Sequence, residues 1–495
     1  PAEYTRVSIA AEEAGMSADP RPNILLIMTD QQRGDALSCA GHPVLWTPNM
    51  DTIAEAGVRF SHCYSTCPTC IAARRSLLSG QFPRTHGMVG YRDGIAWDAP
   101  ATLPGTLRHH GYHTFLVGRN MHQHPPRRRL GYDEMVLYPQ DYGQWLDRQA
   151  PEAGGVFGGG VMHNDWTARP WHLAEHLHPT NWTVERALEF LRRRDPTTPF
   201  FLTVSFIAPH PPLQPPAFYL ERYLRQEMPQ PVIGDWATPE GYDLGGNDGV
   251  APSRIDLRGE ALRSAQAGYY GLINHMDDQL RRLLNPITGV DVQTARNTIV
   301  LLCSDHGEML GDHYMWRKSV PYEPSARVPF LLRAPERYGI GPGTVVDAPV
   351  CLEDIMPTLL DLAGIPVPPA VEGRSLVPHL RGESPPTRRQ LHLEHAPLHH
   401  TLTDARQKYI WWVPDGREQL FDLAADPREL HDLAADAHHR PMLEQWRAAL
   451  IEALADRPEG YVQQGRLTPG VAYPPVLPHA QPGRTSAGRV ATPAR

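Results

Sequence analysis

Three side chains that suit metal binding follow two strongly apolar runs of the sequence. Asp30 follows "NILLIMT", and Asp305 and His306 follow "NTIVLLCS". Carboxylate oxygens with one imidazole form a ligand set for a hard divalent cation. Aspartate at the end of a strand also commonly caps the next turn, which needs no metal. The segment "DHGEMLGDH", whose Gly307 and Gly311 allow close backbone approach to a ligand, favours the metal site.

Half of the six cysteines lie in the stretch "CYSTCPTC", which allows several incompatible chemistries. The spacing of Cys63, Cys67 and Cys70 matches the three-thiolate signature of radical S-adenosylmethionine enzymes, which bind an iron–sulfur cluster. Thr69 stands where that signature usually has an aromatic residue, and no glycine-rich cofactor motif follows. A zinc site would need a crowded fourth ligand such as His62. Taken singly, Cys63 and Cys67 are best explained as small packed side chains.

Cys70 differs from the other two because a helix is predicted to begin right after it. In "CIAARRSLLSG", Leu77 and Leu78 give the helix an apolar face, and Gly80 ends it. A nucleophile at a helix N-terminus faces N–H groups that favour an anion. Arg74, one turn on, lies on the same face and can hold the nucleophile and an anionic substrate. A nucleophile, an arginine and a divalent cation together suit a tetrahedral oxyanion, either sulfate or phosphate.

Long apolar runs predict the strands that must position these residues. "NILLIM", "FFLTVSFIA" and "NTIVLLC" are typical of strands in a parallel sheet that is covered on both faces. The alternation with helices indicates an α/β sandwich, in which ligands bind beyond the carboxyl ends of the strands. Asp30, His210, Asp305 and His306 all lie at such ends. The helices are predicted at residues 48–56, 182–194, 258–284, 352–363 and 440–454.

The sequence pattern changes near residue 385. The short pieces "QLHLEH", "KYIWWV" and "EQLFDL" predict an antiparallel sheet in a small C-terminal subdomain. The Pro- and Gly-rich residues 211–256 are predicted to form a long active-site loop or a surface insertion. The expected organisation is a leader at 1–20, a catalytic α/β domain at 21–384, the C-terminal α+β subdomain at 385–480 and a flexible tail at 481–495.

Composition argues against several classes of function. The 495-residue chain carries a modest net charge of −8 with both signs interspersed, so we expect no nucleic-acid or membrane partner. Its apolar runs are too short to span a bilayer and its N-terminus is polar, which predicts a cytoplasmic protein. The six cysteines do not resemble a secreted disulfide framework.

Taken together, the motifs resemble the type I sulfatases of the alkaline phosphatase superfamily. That family's signature is C-x-P/A-x-R, which stands here as Cys70-Ile-Ala-Ala-Arg74 followed by "SLLSG". Matching segments along nearly the whole chain are "PNILLIMTDQQRGDAL", "TPNMDTIAEAGVRF", "SDHGEMLGDH", "KSVPYEPSARVPFLLRAP" and "GREQLFDLAADPRELHDLA". Several ordered motifs are far more specific than the radical-enzyme spacing. The resemblance implies an alkaline-phosphatase-like sandwich with a large, mostly parallel central sheet flanked by helices.

The resemblance also implies a hydrolase of sulfate esters whose cysteine is oxidised to formylglycine by a separate maturation enzyme. The hydrated aldehyde would attack sulfur, activated by one divalent cation, with calcium favoured over magnesium or manganese. By motif, the metal ligands are Asp30, Asp305, His306 and the modified Cys70. The residues implied to act on or bind the substrate are Arg74, His122, His210, Lys318, Gln31, Arg119 and Asn120.

Three parts of the sequence depart from the family pattern. Gln31 stands where many members have a second carboxylate ligand, so it is expected to bind the metal more weakly or to contact the substrate. In "GYHTFLVGRNMHQH", Arg119 or Asn120 replaces a lysine, while His122 keeps the place of a histidine. A planar guanidinium does not substitute for the point charge of lysine, which bears on substrate preference and rate. Ala72 replaces the commoner proline of the signature.

The nearest alternative function is a phosphonate monoester or phosphodiester hydrolase, which uses the same nucleophile and metal on the same fold. A radical enzyme is the remote alternative. The substrate is expected to be a small-molecule or sugar sulfate ester, and the protein can be an oligomer. Candidate pocket walls are the segment "MHNDWTARPWHLAEHLHPTNW" and the basic run Arg127–Arg129, each of which can equally be a surface loop.

Overall fold

The structure is a computed structural model that describes residues 21–239, 253–285, 291–383, 385 and 388–480. The leader expected at residues 1–20 and the tail expected at 481–495 lie outside these ranges. Part of the predicted loop at 211–256 also lies outside them.

The described residues form the following elements. The strands are β1 (Asn23–Asp30), β2 (Val58–Phe60), β3 (Cys63–Tyr64), β4 (His113–Arg119), β5 (Glu134–Tyr138), β6 (Phe200–Pro209), β7 (Ser253–Arg254), β8 (Thr298–Ser304), β9 (Met315–Trp316), β10 (Arg327–Val328), β11 (Phe330–Arg333), β12 (Thr344–Val346), β13 (Val350–Cys351), β14 (Leu391–His395), β15 (His399–Thr403), β16 (Gln407–Trp412), β17 (Glu418–Asp422), β18 (Val462–Gln463) and β19 (Arg466–Leu467). The α-helices are α1 (Pro48–Glu55), α2 (Cys70–Ser79), α3 (Pro83–His86), α4 (Leu103–His109), α5 (Gln140–Gln149), α6 (Pro179–Arg193), α7 (Ala217–Leu224), α8 (Gly259–Leu284), α9 (Val292–Arg296), α10 (Glu323–Ala326), α11 (Ile355–Leu362), α12 (Val377–Leu380) and α13 (Arg440–Leu454).

One central sheet contains eight of these strands, in the order β12-β2-β11-β8-β1-β6-β4-β5. The strands β8, β1, β6, β4 and β5 are parallel to one another, and so are β2 and β12. Within the described part of this sheet, only β11 runs antiparallel to its neighbours. The predicted large, mostly parallel sheet is confirmed, and the three strands predicted from apolar runs lie side by side at its centre.

All residues of β1 are buried, and successive side chains enter two different cores. Leu25 and Ile27 belong to a core that includes residues of α1, α6 and α8. Ile24 and Leu26 belong to a core on the opposite face that includes residues of α2, α4 and α11. Because alternate residues of a strand face opposite sides, a strand covered on both faces must be apolar throughout. This burial explains the continuous apolar runs in the sequence.

The predicted helices are present, with small differences at their ends. The bounds of α1, α8 and α13 agree with the predictions to within a residue. α6 begins at Pro179, three residues before the predicted start. The helix predicted at 352–363 consists of a 3₁₀ turn, Leu352–Asp354, followed by α11. In the described ranges, no helix combines the length and the apolarity that crossing a bilayer requires.

Two elements differ from the sequence predictions. Residues 211–256, predicted as a loop, contain α7, which packs against α8 through Tyr223 and Leu220. The small C-terminal antiparallel sheet is present, in the order β14-β15-β16-β17, but its strand β15 was not predicted. The sequence of β15, "HHTLT", has little apolar character, yet all five residues are buried. Tertiary packing therefore outweighs local pattern at β15.

Candidate active site

Four potential metal-ligating side chains meet beyond the carboxyl ends of β1 and β8. Asp30 is the last residue of β1, and Asp305 and His306 directly follow β8. Ligand atoms of these residues and of Cys70 lie within 4.8 Å of one another, and all four residues are buried. Because β1 and β8 are parallel neighbours, residues far apart in sequence reach one point. Among the described residues, no other group of three or more His, Cys, Asp or Glu side chains meets this criterion.

Arg74 holds one oxygen of each carboxylate in this cluster. Its Nη2 donates to Asp30 Oδ2 at 3.0 Å, and its Nε donates to Asp305 Oδ2 at 2.9 Å. Its Nη1 donates to the Ser205 hydroxyl at 3.0 Å. The other two oxygens, Asp30 Oδ1 and Asp305 Oδ1, lie 3.8 Å and 3.7 Å from Nε2 of His306. The guanidinium thus turns both Oδ1 atoms toward the imidazole.

The donor set fits a hard divalent cation. Nδ1 of His306 lies 3.0 Å from the carbonyl oxygen of Gly307. A carbonyl can only accept, so Nδ1 carries the proton and Nε2 presents a lone pair toward the carboxylates. Burial lowers the pKa of His306, which keeps its ring neutral. Two carboxylate oxygens, one neutral imidazole nitrogen and the side chain at position 70 could hold one cation.

The helix α2 places Cys70 at this ligand cluster. It begins at Cys70, one residue before the predicted start, and all ten of its residues are buried. Cys70 Sγ lies 3.1 Å from Nε2 of His306 and 3.8 Å from Asp30 Oδ1. Arg74, one turn further along, reaches the same carboxylates. One helix therefore delivers both the candidate nucleophile and the arginine that orients the ligands.

The environment of the cysteines separates Cys70 from its two neighbours. Burial, assisted by the Asp30 carboxylate, raises the pKa of the Cys70 thiol to about 12. An unmodified thiol here is protonated at neutral pH and is a poor nucleophile. Cys63 and Cys67 are buried in two different apolar clusters and are absent from the ligand cluster in the described residues. The structure therefore gives no support to the iron–sulfur alternative, whose three thiolates would have to converge.

Lys318 and His210 form a second polar group in the site. Lys318 Nζ lies 3.1 Å from His210 Nε2 and donates to Gln31 Oε1 at 2.7 Å. Nδ1 of His210 donates to the carbonyl of Pro211 at 2.7 Å, so Nε2 is an acceptor in the neutral ring. Burial, together with the nearby Lys318, holds the pKa of His210 well below its usual value. An ammonium beside a neutral imidazole can bind an anion or donate a proton.

Of the two candidates to replace the family lysine, Arg119 reaches the ligand cluster. Its Nε donates to Asp30 Oδ2 at 3.2 Å, and its Nη2 lies 3.1 Å from Nε2 of His122. The side chain of Asn120 instead donates to Gln140 at 3.3 Å and accepts the backbone N–H of His122. This geometry favours Arg119 over Asn120 as a substrate contact.

The surroundings of these groups fix their charges. Burial opposes the ionisation of Asp30, but Arg74 and Arg119 hold its pKa well below the usual value. Burial opposes the charge on Arg119, but Asp30 raises its pKa. Burial, together with Arg119, holds the pKa of His122 well below its usual value, so this ring is neutral. The site thus combines ionised carboxylates, permanent cations and neutral imidazoles.

Glu308 is a residue of this site that the motif analysis leaves out. It is buried, and its Oε2 accepts a hydrogen bond from Nε2 of Gln31. Its position three residues after Asp305, inside "DHGEM", is the sequence signal that could have found it.

One of the two candidate pocket walls reaches the site. In the His- and Trp-rich segment, Asn164 Oδ1 lies 3.5 Å from Lys318 Nζ, and the ring of His163 lies 6.0 Å from that of His210. The basic run makes ion pairs at the surface instead, such as Arg127 with Asp141 at 2.6 Å. The segment around residue 164 is therefore the better candidate to contact the organic part of a substrate.

Comparison with known proteins gives the family. A family model described as "Sulfatase" matches residues 22–365, which is well over half of the chain. The chain belongs to the sulfatase family. A second family model, described as "N-sulphoglucosamine sulphohydrolase, C-terminal", matches residues 311–456 of this sulfatase.

Individual relatives support this assignment. An arylsulfatase of Clostridium perfringens (strain 13 / Type A) is 39% identical to the sulfatase over 478 residues, which cover 92% of the chain and 98% of the relative. A choline-sulfatase of Rhizobium meliloti (strain 1021) is 32% identical over 444 residues, which cover 84% of the chain and 82% of the relative. The solved structure of a phosphonate monoester hydrolase of Agrobacterium radiobacter has a TM-score of 0.76 at 28% identity, covering 88% of this chain and 96% of that one.

These similarities confirm the resemblance to type I sulfatases and the alkaline-phosphatase-like fold. The sulfatase is a hydrolase of the class that acts on sulfuric and related esters. Members of the family generally use a metal ion and a formylglycine, and the buried cluster around Cys70 is a candidate site for both.

Proposed function

We propose that the protein hydrolyses sulfate monoesters with formylglycine at position 70 as the nucleophile. The observation that carries this proposal is the position of Cys70 at the start of a buried helix, with Sγ 3.1 Å from Nε2 of His306 in the ligand cluster. Formylglycine supplies a hydrated aldehyde, one hydroxyl of which attacks sulfur while the other allows the aldehyde to re-form.

The proposed cation site consists of Asp30, Asp305, His306 and the side chain at position 70, and the proposed ion is Ca²⁺. Hard carboxylate oxygens support this choice, as does the family resemblance. Ca²⁺ accepts six to eight ligands, so substrate oxygens could complete a shell that the chain only partly fills. Such a cation would supply Lewis-acid chemistry, lowering the pKa of the attacking hydroxyl and neutralising sulfuryl oxygens.

The chain's own cations bind the anionic part of the substrate. Arg119 contacts Asp30 through Nε and lies beside His122, and its side chain is 13% exposed. Its fork of N–H donors suits two sulfuryl oxygens at once. Arg74 is fully buried and occupied by Asp30 and Asp305, so its part is to orient the carboxylates.

Lys318 is the proposed donor of a proton to the departing oxygen. The ammonium of Lys318 can only donate hydrogen bonds. Nε2 of His210 is instead an acceptor, because Nδ1 carries the ring proton and donates a hydrogen bond to the carbonyl of Pro211. Burial also opposes protonation of His210, which argues against this imidazole as the acid. His210 therefore holds the ammonium in place, and Lys318 makes the transfer.

Conversion of Cys70 requires a maturation enzyme to reach it. In the folded chain Cys70 is 2% exposed and lies at the start of a fully buried helix. We therefore propose that oxidation to formylglycine takes place before α2 packs against the central sheet.

The choice of sulfate rests on the relatives. The arylsulfatase is more similar to this chain than the phosphonate monoester hydrolase, at 39% against 28% identity. Protein co-produced with a formylglycine-generating enzyme should therefore hydrolyse 4-nitrophenyl sulfate with kcat/KM at least about tenfold above that for a 4-nitrophenyl phosphonate monoester. The variant Cys70→Ala gives the background for both esters. A large preference for the phosphonate would overturn the assignment in favour of the phosphonate monoester hydrolase.

A further inference from the structure

Phe157 is a large apolar side chain that lies exposed near the candidate active site. It ends a 3₁₀ turn, Gly155–Phe157, and 37% of its surface is exposed. Its ring centroid lies 4.8 Å from that of His163, with the two ring planes at 80° to each other. Single exposed apolar side chains are common on protein surfaces, so the contacts of Phe157 decide what it can do.

His163 connects Phe157 to the groups of the site. Its ring centroid lies 6.0 Å from that of His210, and its Nδ1 lies 3.2 Å from the carbonyl oxygen of Pro211. Because a carbonyl can only accept, Nδ1 of His163 carries the ring proton. His210 in turn lies beside Lys318, at 3.1 Å between Nε2 and Nζ. Three rings in successive contact therefore begin beside Lys318 and end at the exposed ring of Phe157.

The backbone next to His163 is held at the same place. The carbonyl oxygen of Asn164 accepts hydrogen bonds from Nε and Nη2 of Arg317 at 3.0 Å and 2.9 Å. Arg317 directly precedes Lys318, whose Nζ lies 3.5 Å from Asn164 Oδ1. An oxygen that takes a proton from Lys318 must lie within hydrogen-bond distance of Nζ. The organic group attached to that oxygen would therefore lie close to Asn164 and His163.

The turn that carries Phe157 has a defined position although the ring is exposed. The neighbouring side chain, Val156, packs against an apolar cluster that includes residues of α5 and α6. On the other side of Phe157, a Cβ at Gly158 would lie 1.8 Å from the carbonyl oxygen of Ala153. Only glycine allows this close approach of two backbone segments. Phe157 is thus presented on a packed turn.

The surface formed by His163 and Phe157, called the aromatic wall below, offers few hydrogen bonds to a ligand. Nδ1 of His163 is engaged by Pro211, and Nε2 is the remaining polar atom of the two rings. Partial burial lowers the pKa of His163, which keeps the ring uncharged. A sugar needs several partners for its hydroxyl groups, whereas an aromatic ring needs apolar contact with other rings. The aromatic wall therefore suits a flat, apolar organic group.

We propose that the aromatic wall selects sulfate esters of apolar aromatic alcohols, with the ring next to the ester on His163 and a second ring on Phe157. The inference rests on the proposed function, because it takes Lys318 as the proton donor to the departing oxygen. The part of both residues is specificity, since they contact the organic group and not the sulfuryl oxygens.

A second ring on the substrate tests the place of Phe157. Phenyl sulfate and 4-phenylphenyl sulfate release phenols of similar acidity, so they make similar demands on the proton donor. We expect the wild type to hydrolyse 4-phenylphenyl sulfate with kcat/KM about tenfold above that for phenyl sulfate. Phe157→Ala should reduce this ratio to about one and should keep kcat/KM for phenyl sulfate within about threefold of the wild type. The loss should appear in KM, because the contact is remote from the reacting atoms.

Phe218→Ala is the matched control, since Phe218 is another exposed phenylalanine, at 66%, and lies on α7. It should leave the ratio of the two esters unchanged. The midpoint of thermal unfolding of Phe157→Ala should stay close to that of the wild type, which would exclude a general loss of folding.

The role of His163 is tested by removing and then restoring a ring. His163→Ala should lower kcat/KM about tenfold for both aryl esters, because both place their first ring on this residue. His163→Phe restores an aromatic ring and should recover most of this loss.

A pair of primary alkyl sulfates tests the preference for an aromatic group over a sugar. We expect kcat/KM for 2-phenylethyl sulfate to be at least about tenfold above that for glucose 6-sulfate, although both esters release a primary alcohol.

A wild type that hydrolyses phenyl sulfate but shows no gain from the second ring would overturn the aromatic wall. So would an unchanged ratio in Phe157→Ala, no recovery in His163→Phe, or a preference for glucose 6-sulfate. A wild type with formylglycine at position 70 that hydrolyses none of these esters would instead overturn the proposed function, and the inference with it.

Discussion

At the residue scale, Arg74 explains how two carboxylates can lie side by side in a buried site. It pairs with Asp30 Oδ2 and Asp305 Oδ2, and Arg119 adds a contact to Asp30. Two negative charges thus face two permanent positive charges before any cation binds. Breaking a buried pair of this kind typically costs about 3–5 kcal/mol, because it leaves an uncompensated charge. The ligand cluster is therefore assembled by the chain itself.

Removal of the cation should abolish activity while the fold remains, because Arg74 and Arg119 keep the carboxylates compensated. Elemental analysis of the purified protein should find one calcium per chain. After treatment with a chelator, kcat should fall at least about 100-fold and return when calcium is added. Because a cation held by these residues would bind only the folded chain, the midpoint of thermal unfolding should rise with free calcium.

The variant Asp305→Asn serves as the control for this experiment, since it removes one ligand charge. It should purify without stoichiometric calcium and should not respond to added calcium. Chelated protein that is metal-free by elemental analysis and still turns over at the original rate would contradict the metal site.

At the element scale, the sequence predicts the strands and their ends but not the loops between them. β1, β6 and β8 are buried on both faces, so their apolar runs and the polar residues that follow are visible in the sequence. These ends carry Asp30, His210, Asp305 and His306, which is why the core of the candidate site could be predicted. β15 owes its structure to packing partners distant in sequence, whereas α7 buries Tyr219, Leu220 and Tyr223 at helical spacing, a local signal that the prediction of a loop passed over.

The same limit applies to individual site residues. The choice between Arg119 and Asn120 depends on which side chain the end of β4 turns toward Asp30, and neighbouring residues point in opposite directions. Glu308 belongs to the site because it accepts hydrogen bonds from Gln31 and from the backbone of Arg317. The spacing of residues in the sequence does not predict these hydrogen bonds. Residue types and motifs find the groups that do chemistry, whereas the groups that hold them require the fold.

At the scale of the whole molecule, the C-terminal sheet supports the segment that carries Lys318. Lys408 of β16 is fully buried, and its Nζ contacts Glu323 at 2.9 Å, Glu429 at 2.7 Å and the carbonyl of Pro321 at 2.8 Å. Pro321 and Glu323 lie just after Lys318 in the chain. Arg327 Nε also pairs with Glu323 Oε2 at 2.8 Å, so two carboxylates face two cations in this buried cluster. We propose that the catalytic domain ends and the C-terminal subdomain begins near residue 385, and that the cluster around Lys408 joins these two parts.

This cluster predicts a dependence of stability on pH. Burial raises the pKa of Glu429 to about 7, although Lys408 opposes the shift. An unfolded glutamate titrates near pH ~4.3, so between about pH 4.3 and 7 the folded state holds a proton that the unfolded state has lost. Glu429 therefore contributes stability that is fully present below this window and is lost as pH rises through it. The free energy of unfolding should fall by up to ~1.4 kcal/mol per pH unit from this group.

Chemical denaturation between pH 5 and 7.5 measures this effect. Glu429→Gln is neutral at every pH, so its free energy of unfolding should fall less steeply than that of the wild type across this range. Glu452→Gln, which changes an exposed glutamate of α13, should follow the wild type. Parallel curves for wild type and Glu429→Gln would show that Glu429 does not bind the extra proton.

Mass spectrometry of the peptide that contains Cys70 shows whether position 70 is formylglycine, as the proposed reaction requires. Protein co-produced with a formylglycine-generating enzyme should contain the aldehyde form, and a hydrazide probe should capture it. Across preparations, kcat for 4-nitrophenyl sulfate per chain should rise in proportion to the aldehyde fraction. Fully active protein in which every copy of position 70 is still cysteine would contradict the account.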